Sequence, residues 1–391
     1  AEVGGSIPLP ATILIKTVIR KYLQKIFKKI SYGLFLKIYG PIKNSIGKYD
    51  DKRIKVKAIN TEEELKYNVY SITDGRLYTD RIHDAAVMLD NRIIEGPSFQ
   101  LRQLSDTIVN SKISDNIVFS KGTPRKLIKL NGSVLSLLTG GAGNNNYWHW
   151  LFDVLPRFGL CNKSTNLSEI DYFLLPSLLK QYQKESLDCL NIPNHKRISS
   201  EKFRHVKAKE LIVTDHPVVV SGNATKDILN IPSWLISWLR DNFVNQESTI
   251  NNKIKNKIYI DRGDITLNNL PQRFISNDDE VKKCMLDNNF ITVKLHETGF
   301  RKQVDLFHNA ECIVGLHGAG FGNIVFCKPG TKIIELKSLT SGDAIKNLAK
   351  KNDLNYSSIE VEAKEIYKFD FLNQQGSIQI PINNLIKVLG N

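Results

Sequence analysis

CIVGLHGAGFGNIVFCKPGTKIIEL, from Cys312 to Leu336, decides how the rest of this chain is read. Cys312 to Leu316 is a short apolar run of the kind a buried parallel strand shows. His317, Gly318, Ala319 and Gly320 follow as a glycine turn. Phe321 to Phe326 reads as a helix, Pro329-Gly330 ends it, and Lys332 to Leu336 is the next strand. Such a turn lets a ligand approach backbone N–H groups, and the helix N-terminus behind it favours an anion. In open α/β sheets, ligands bind outside the carboxyl ends of the strands. The stretch therefore predicts a phosphate-sized site. It is not the G-x-G-x-x-G dinucleotide fingerprint, since Gly318, Gly320 and Gly322 alternate; nor is it a P-loop, since no Gly-Lys-Ser/Thr follows. The alternative is a turn that uses glycine for packing alone. His317, directly before the glycines, favours the ligand.

Outward from this block the chain alternates. Strands are expected at Lys257–Asp261, Ile291–Leu295, Cys312–Leu316, Lys332–Leu336 and Tyr356–Val361. Helices are expected at Asp278–Leu286, Gly299–Asn309, Phe321–Phe326 and Asp343–Lys350. This pattern predicts a doubly wound parallel sheet. Upstream the alternation is less regular: strands at Ser133–Gly141, Ile170–Pro176 and Ala208–Thr214, a helix at Ser177–Leu190, and another at Ile231–Phe243 with Pro232 in its first turn. The polar, lysine-rich Asn245–Lys257 reads as a linker. The organisation expected is a basic segment over 1–49, an α/β domain over 50–244, a second one over 257–362, and an extension over 363–391.

Composition narrows the classes. The chain has 391 residues, enough for two domains with their own cores. Its net charge is +14, but Lys and Arg outnumber the lone acid Glu2 by eight within residues 1–49, so the body is only mildly basic. Leu14 to Tyr39 places Ile15, Ile19, Tyr22, Ile26 and Ile30 at helical spacing among Lys16, Arg20, Lys21, Lys25, Lys28 and Lys29. Residues 14–39 thus read as a basic amphipathic helix, fit either for an anionic membrane surface or for packing on the body with a solvated lysine face. Gly33, Gly40 and Pro41 are expected to break it. Five cysteines without C-x-x-C spacing argue against a zinc site or a disulfide framework, and for a reducing compartment. No run of 18 apolar residues predicts a membrane span. No aromatic-basic recognition motif suggests nucleic acid.

Two further constellations carry chemistry. NYWHWLFDVLPR, from Asn146 to Arg157, sets His149 and Asp153 four residues apart on one helix face. A carboxylate there can act in proton transfer with the imidazole fixed beside it. The alternative is a core helix whose His and Asp only brace it. Asp153 is the first choice for the base, with His149 holding it in place. Pro156 interrupts the ladder, so Arg157 is not assumed to align. YIDRGD, from Tyr259 to Asp264, puts Arg262 at the end of the first strand of the second sheet, on the same edge as Gly318. Arg262, with Arg273 eleven residues on, can hold a diphosphate by bidentate hydrogen bonds. The alternative is a surface ion pair with Asp261 or Asp264.

NYWHWLFDVLPR, then YIDRGD with RFISNDDE, then GLHGAGFGNIVFCKPGTKIIEL, together resemble glycosyltransferase family 61. The resemblance implies two Rossmann-like domains facing a cleft (the GT-B architecture) and inverting transfer from a nucleotide sugar, such as a UDP-sugar, to a glycan or lipid-linked glycan acceptor. It implies no metal cofactor. It places Arg262, Arg273, His317, Gly318, Ala319, Gly320, Asn323 and Glu335 near the donor, and His149 and Asp153 on the acceptor side. Relatives often carry Leu-Thr-Asn after the glycine turn, where Phe321-Gly322-Asn323 stands here. The bacterial type, serving capsule or surface-polysaccharide synthesis in the cytoplasm and peripheral to the plasma membrane, is the closer expectation. The rival from another class is a non-catalytic basic module at a membrane surface, binding an anionic polymer or nucleotide.

Overall fold

A computed structural model describes residues 11–61, 64–139, 141–244, 256–262, 266–267, 270–271, 273–364 and 376–390. Two sheets dominate it. The first has twelve strands and is mixed. Its parallel part consists of β1 (Ile128–Ser136), β2 (Tyr172–Leu175), β3 (Arg197–Ser199) and β4 (His205–Thr214), side by side in the order β4-β1-β2-β3. The chain steps outward through β1, β2 and β3, then returns to the far side of β1 as β4. That reversal makes a switch point between β1 and β4, where crevices for ligands form.

The other edge of β4 pairs antiparallel with Lys66–Thr73 and Arg76–Thr79. Those two belong to a run of short strands between Asn44 and Asn110, paired antiparallel except for Asn44–Ile46, which lies parallel to Arg92–Ile94; this run goes beyond the expected α/β alternation. Arg76–Thr79 and Asp84–Leu89 are buried along their whole length and only four and six residues long, so they carry no period-two pattern. The turns are better marked. Asp90-Asn91 closes a two-residue hairpin, Leu89 facing Arg92, with Asp90 at φ 55°.

The second sheet matches its expectation closely. It contains β5 (Asn256–Ile260), β6 (Phe290–Val293), β7 (Ala310–Leu316), β8 (Lys332–Ser338) and β9 (Asn355–Val361), all parallel, in the order β6-β5-β7-β8-β9. Its switch point lies between β5 and β7. The strand expected at Ile291–Leu295 stops at Val293, before a short 3₁₀ turn at Leu295–Glu297. The helix expected after the glycine turn starts earlier, at Ala319, and is wound as 3₁₀ through Phe326. β1 lies earlier than the expected Ser133–Gly141, beginning at Ile128 and ending at Ser136. Pro232 caps its helix (Ser233–Phe243) rather than sitting in the first turn. The linker, apart from Asn256 and Lys257, lies outside the described residues.

One apolar core runs between the two sheets. Leu135, Trp150, Phe158 and Leu235 from the first half pack in the same cluster as Phe300, Ile313, Phe326 and Ile333 from the second. Phe243, Phe300 and Phe326 meet edge to face, with centroids 5.0 to 6.3 Å apart. Glu185, on the helix Gln181–Cys189, accepts a hydrogen bond from the Phe300 N–H and so caps the helix Phe300–His308. On the far face of the second sheet, residues 376–390 complete a separate core. Gly376–Ile378 pairs with Arg273–Ile275, and the helix Ile382–Gly390 buries Leu385 there. All five cysteines are free thiols, four of them buried.

The N-terminal helix α1 (Ala11–Tyr39) is longer than expected and passes straight through Gly33. Nothing stands near an added Cβ there, and a helical glycine costs only about 1 kcal/mol. The helix ends at Gly40, whose φ of 76° suits a glycine C-cap. No helix among the described residues is long and apolar enough to cross a membrane.

Residues 147–162 form one helical segment: Tyr147–His149, then a π-helical stretch at Trp150–Val154, then Pro156–Asn162. Asn146 caps it, its side chain accepting from the N–H groups of Trp148 and His149. The wider π turn absorbs Pro156, which has no N–H to give. This segment crosses the 3₁₀ helix at Gly322, where a Cβ would come within 3.1 Å of Leu151 Cδ1. Gly322→Val should therefore cost roughly 1–3 kcal/mol of stability by overpacking the crossing. Urea unfolding tests this, and an unchanged midpoint would show that the crossing is not tight.

Candidate functional site

At the second switch point, the carboxyl ends of β5 and β7 lead directly into Arg262 and His317. Both Arg262 Nη1 and Arg273 Nη1 donate to the His317 carbonyl, at 2.6 and 3.1 Å. Among the described residues neither arginine forms an ion pair; Asp261 pairs instead with Lys282 at 3.1 Å, and Asp264 lies outside those residues. Burial lowers the Arg262 pKa to about 10, and the neighbouring Arg273 adds to the shift. Burial lowers Arg273 too, against the pull of Glu335. Among the described residues the buried Nε of Arg262 has no hydrogen-bond partner. Two desolvated guanidinium groups on one carbonyl repel each other. An anion bound between them relieves both the repulsion and the desolvation.

Gly318 has an extended backbone that any residue can adopt, with φ 160°. What requires glycine is space, because a Cβ would collide with Nη1 of Arg262. Gly320 is similarly tight, with a would-be Cβ 2.7 Å from Leu295 Cδ1. Ala319 is half-buried and opens the 3₁₀ helix. The other end of this helix is held by Arg240, which donates to the carbonyls of Val325 and Cys327, and by Asn352, which donates to that of Ile324. A cation there complements the helix dipole and leaves the positive end toward the arginine pair.

His317 is nearly buried, and its Nδ1 meets Glu335 Oε1. Glu335 is fully buried, and its second oxygen accepts from the Tyr356 hydroxyl at 2.5 Å. A carboxylate only accepts, so the imidazole carries its proton on Nδ1 and leaves Nε2 open. Asn323 is also fully buried. Its amide donates to Gln303 at 2.9 Å and to the Gly320 carbonyl, and its oxygen accepts from the Tyr147 hydroxyl at 2.5 Å. It therefore ties the glycine turn to the 147–162 segment. Beside Arg262 lies a cavity of about 260 Å³ lined by Tyr259, Phe274, Ile275, Asp278 and Leu316, large enough for a planar heterocycle.

At the first switch point the segment after β1 meets the end of β4. His149 Nδ1 donates to Asp153 Oδ2 at 2.6 Å, forming the pair that the four-residue spacing predicts. The Asp153 side chain is 9% exposed, whereas that of His149 is 22% exposed. Arg157 does line up after all, donating to the Asp153 carbonyl and to Thr214. A third group was not foreseen: His216, two residues past β4, brings Nε2 within 3.9 Å of Asp153 Oδ2. Its Nδ1 accepts from the N–H groups of Val218 and Val219, so the proton sits on Nε2, toward the carboxylate. The available signal was positional, a histidine just beyond a strand that flanks a switch point. Burial raises the Asp153 pKa, but the charges of His149 and His216 outweigh it and hold the carboxyl below its usual range. Burial pushes His216 down to about 4. Among the described residues, no three His, Cys, Asp or Glu side chains are placed to hold a metal ion.

The family model described as "Glycosyltransferase 61" matches residues 147–334, just under half of the chain; the side chains His149, Asp153, His216, Arg262 and His317 fall within it, whereas β1 and Glu335 lie outside. No curated protein matches the chain. Among solved structures the chain is similar to a flavo di-iron protein mutant from Thermotoga maritima, at 10% identity, covering 87% of this chain and 99% of that one. The TM-score is 0.23, too low to bear on fold or chemistry.

Two predictions follow from this geometry. Gly318→Ala should displace the Arg262 guanidinium and weaken binding of inorganic pyrophosphate ~10-fold or more, with the melting temperature little changed. Calorimetric titration showing wild-type affinity would place the anion elsewhere. The second concerns pH. His216 and His205 both have folded-state pKa values of about 4, lowered by burial. Below the ordinary value of about 6.5 the unfolded chain takes up protons that the folded chain refuses. Stability should fall as pH drops from 6.5 toward 4, by up to about 1.4 kcal/mol per pH unit for each histidine. The His205→Gln/His216→Gln double variant should flatten that slope in urea titrations at stepped pH; an equal slope would refute the assignment.

Proposed function

We propose that this chain is a glycosyltransferase that moves a sugar from a nucleotide sugar to a hydroxyl acceptor, with inversion and without a metal. The observation that carries the reading is the pair of half-buried arginines on the His317 carbonyl, neither in an ion pair among the described residues, within a stretch similar to the Glycosyltransferase 61 family. In this reading the two sheets act as two Rossmann-like units of a GT-B arrangement, their switch points joined where segment 147–162 crosses the 3₁₀ helix.

The donor diphosphate rests on Arg262 and Arg273 at the head of the 3₁₀ helix, and the base enters the cavity beside Phe274 and Asp278. The acceptor hydroxyl approaches His149. Its oxygen bonds to the anomeric carbon from one face as the bond to the diphosphate oxygen breaks on the other. The hydroxyl proton passes to His149 Nε2, and the electron pair leaves with the nucleoside diphosphate. His149 rather than Asp153 takes the proton in this reading. The carboxylate is the more buried of the two, and its Oδ2 already accepts from His149 Nδ1. Asp153 then steadies the imidazolium, while His216 turns its Nε2–H toward the same carboxylate. The arginines and the helix dipole stabilise charge on the leaving group, the role a metal ion plays elsewhere. A hexose or pentose donated to a glycan or lipid-linked glycan of a bacterial capsule or surface polysaccharide fits this chemistry, at the cytoplasmic face.

Three measurements test the reading. Arg262→Ala should weaken binding of a nucleoside diphosphate by about 1.5–3 kcal/mol. His149→Ala and Asp153→Asn should each lower kcat ~10²–10⁴-fold while nucleotide affinity stays near wild type. A destabilised but fully active Asp153→Asn would reduce the pair to a brace. Transfer should persist in excess EDTA, and activity lost with chelator and restored by Mn²⁺ would overturn the metal-free mechanism.

A further inference from the structure

Helix α1 carries apolar surface that the body leaves uncovered. Ile19, Leu23, Ile26, Ile30 and Leu34 fall on one face at helical spacing, and each is at least 40% exposed. Tyr22, Phe27 and Ile38 widen that stripe, and Phe27 is 71% exposed. Docking uses the opposite face. Phe35 and Tyr39 stack on one another; the Tyr39 ring meets His205 edge-on at 5.0 Å; and its hydroxyl accepts from the Leu127 N–H. Asn91 holds the last carbonyl of the helix, that of Tyr39. Ile19, Leu23 and Phe27 form one wall of an open groove that Arg125 of the body also lines, and the rest of the stripe is exposed away from the docking contacts; a contiguous exposed patch of large side chains marks a surface that something else covers.

The charges choose among possible covers. Lys25 and Lys29 border the stripe on one side, Lys37 stands at its C-terminal end, and no acidic residue occurs in the helix. Arg125 and Lys126 are exposed on the body beside the helix. A second copy of the same helix would bring like charges together, with no Glu or Asp to pair with them as a coiled coil requires. An anionic lipid surface meets both demands. It takes the apolar side chains into the acyl boundary, and its headgroups pair with the lysines.

We propose that α1 lies in the interface of an anionic bilayer and holds the body at the membrane surface. This is independent of the transfer chemistry. The test is flotation of the full chain with vesicles of phosphatidylcholine alone or with phosphatidylglycerol added. Binding should require phosphatidylglycerol. Ile26→Asp/Ile30→Asp should abolish it without changing the melting temperature of the body. Replacing Lys25, Lys28 and Lys29 by Gln should lower the partition coefficient ~100-fold, at about tenfold per 1.4 kcal/mol and ~1 kcal/mol per lysine. Equal binding to both vesicles, or none to either, overturns the proposal. So does sedimentation showing a dimer that Ile26→Asp/Ile30→Asp dissociates, because a second copy would then cover the stripe.

Discussion

Everything at the candidate site depends on how one short helix crosses another. Segment 147–162 leaves the switch point of the first sheet, and the 3₁₀ helix 319–326 leaves that of the second. They meet where Gly322 gives room to Leu151, Phe152 and Trp148, and where Asn323 accepts from Tyr147. That contact fixes the imidazole–carboxylate pair relative to the arginine pair. It also explains why a buried asparagine sits in an otherwise apolar helix. Its amide satisfies Tyr147 on one side and Gln303 on the other, and a buried polar group is tolerated only when so paired.

The division of labour follows from burial. The second switch point gathers two guanidinium groups that form no ion pair among the described residues, its one buried carboxylate, Glu335, being taken by His317 and Tyr356, so it suits an anion. The first gathers one carboxylate between two imidazoles, so it suits proton movement. A shared apolar core, with its Phe243, Phe300 and Phe326 contacts, keeps the two groups in register. Fully buried Glu335 is tied down in turn, by His317 and Tyr356.

How much of this was legible varied with the physics of each segment. The second sheet was readable strand by strand, because strands covered on both faces are nearly continuous apolar runs. The glycine turn was readable because Gly318 has to make room for Arg262. The His149–Asp153 pairing was readable from helix periodicity. The short strands of residues 44–110 were not, since stretches such as Arg76–Thr79 and Asp84–Leu89 are buried throughout and too short to show a period. His216 was hidden because its partner lies 63 residues earlier in the chain, and only the strand order brings the two together. Arg157 was discounted on account of Pro156, yet the π turn restores its alignment. Gly33 was overvalued as a breaker, since an exposed glycine alone is too cheap to end a helix.

The central claim is that one switch point binds the anionic donor while the other moves the proton. Calorimetric titration with nucleoside diphosphates in metal-free buffer, on the wild type and on two variants, tests it most directly. Binding should be present in the wild type, intact in His149→Ala, and lost in Arg262→Ala/Arg273→Ala with the fold retained. Binding that survives loss of both arginines, or that disappears with His149, would contradict the account.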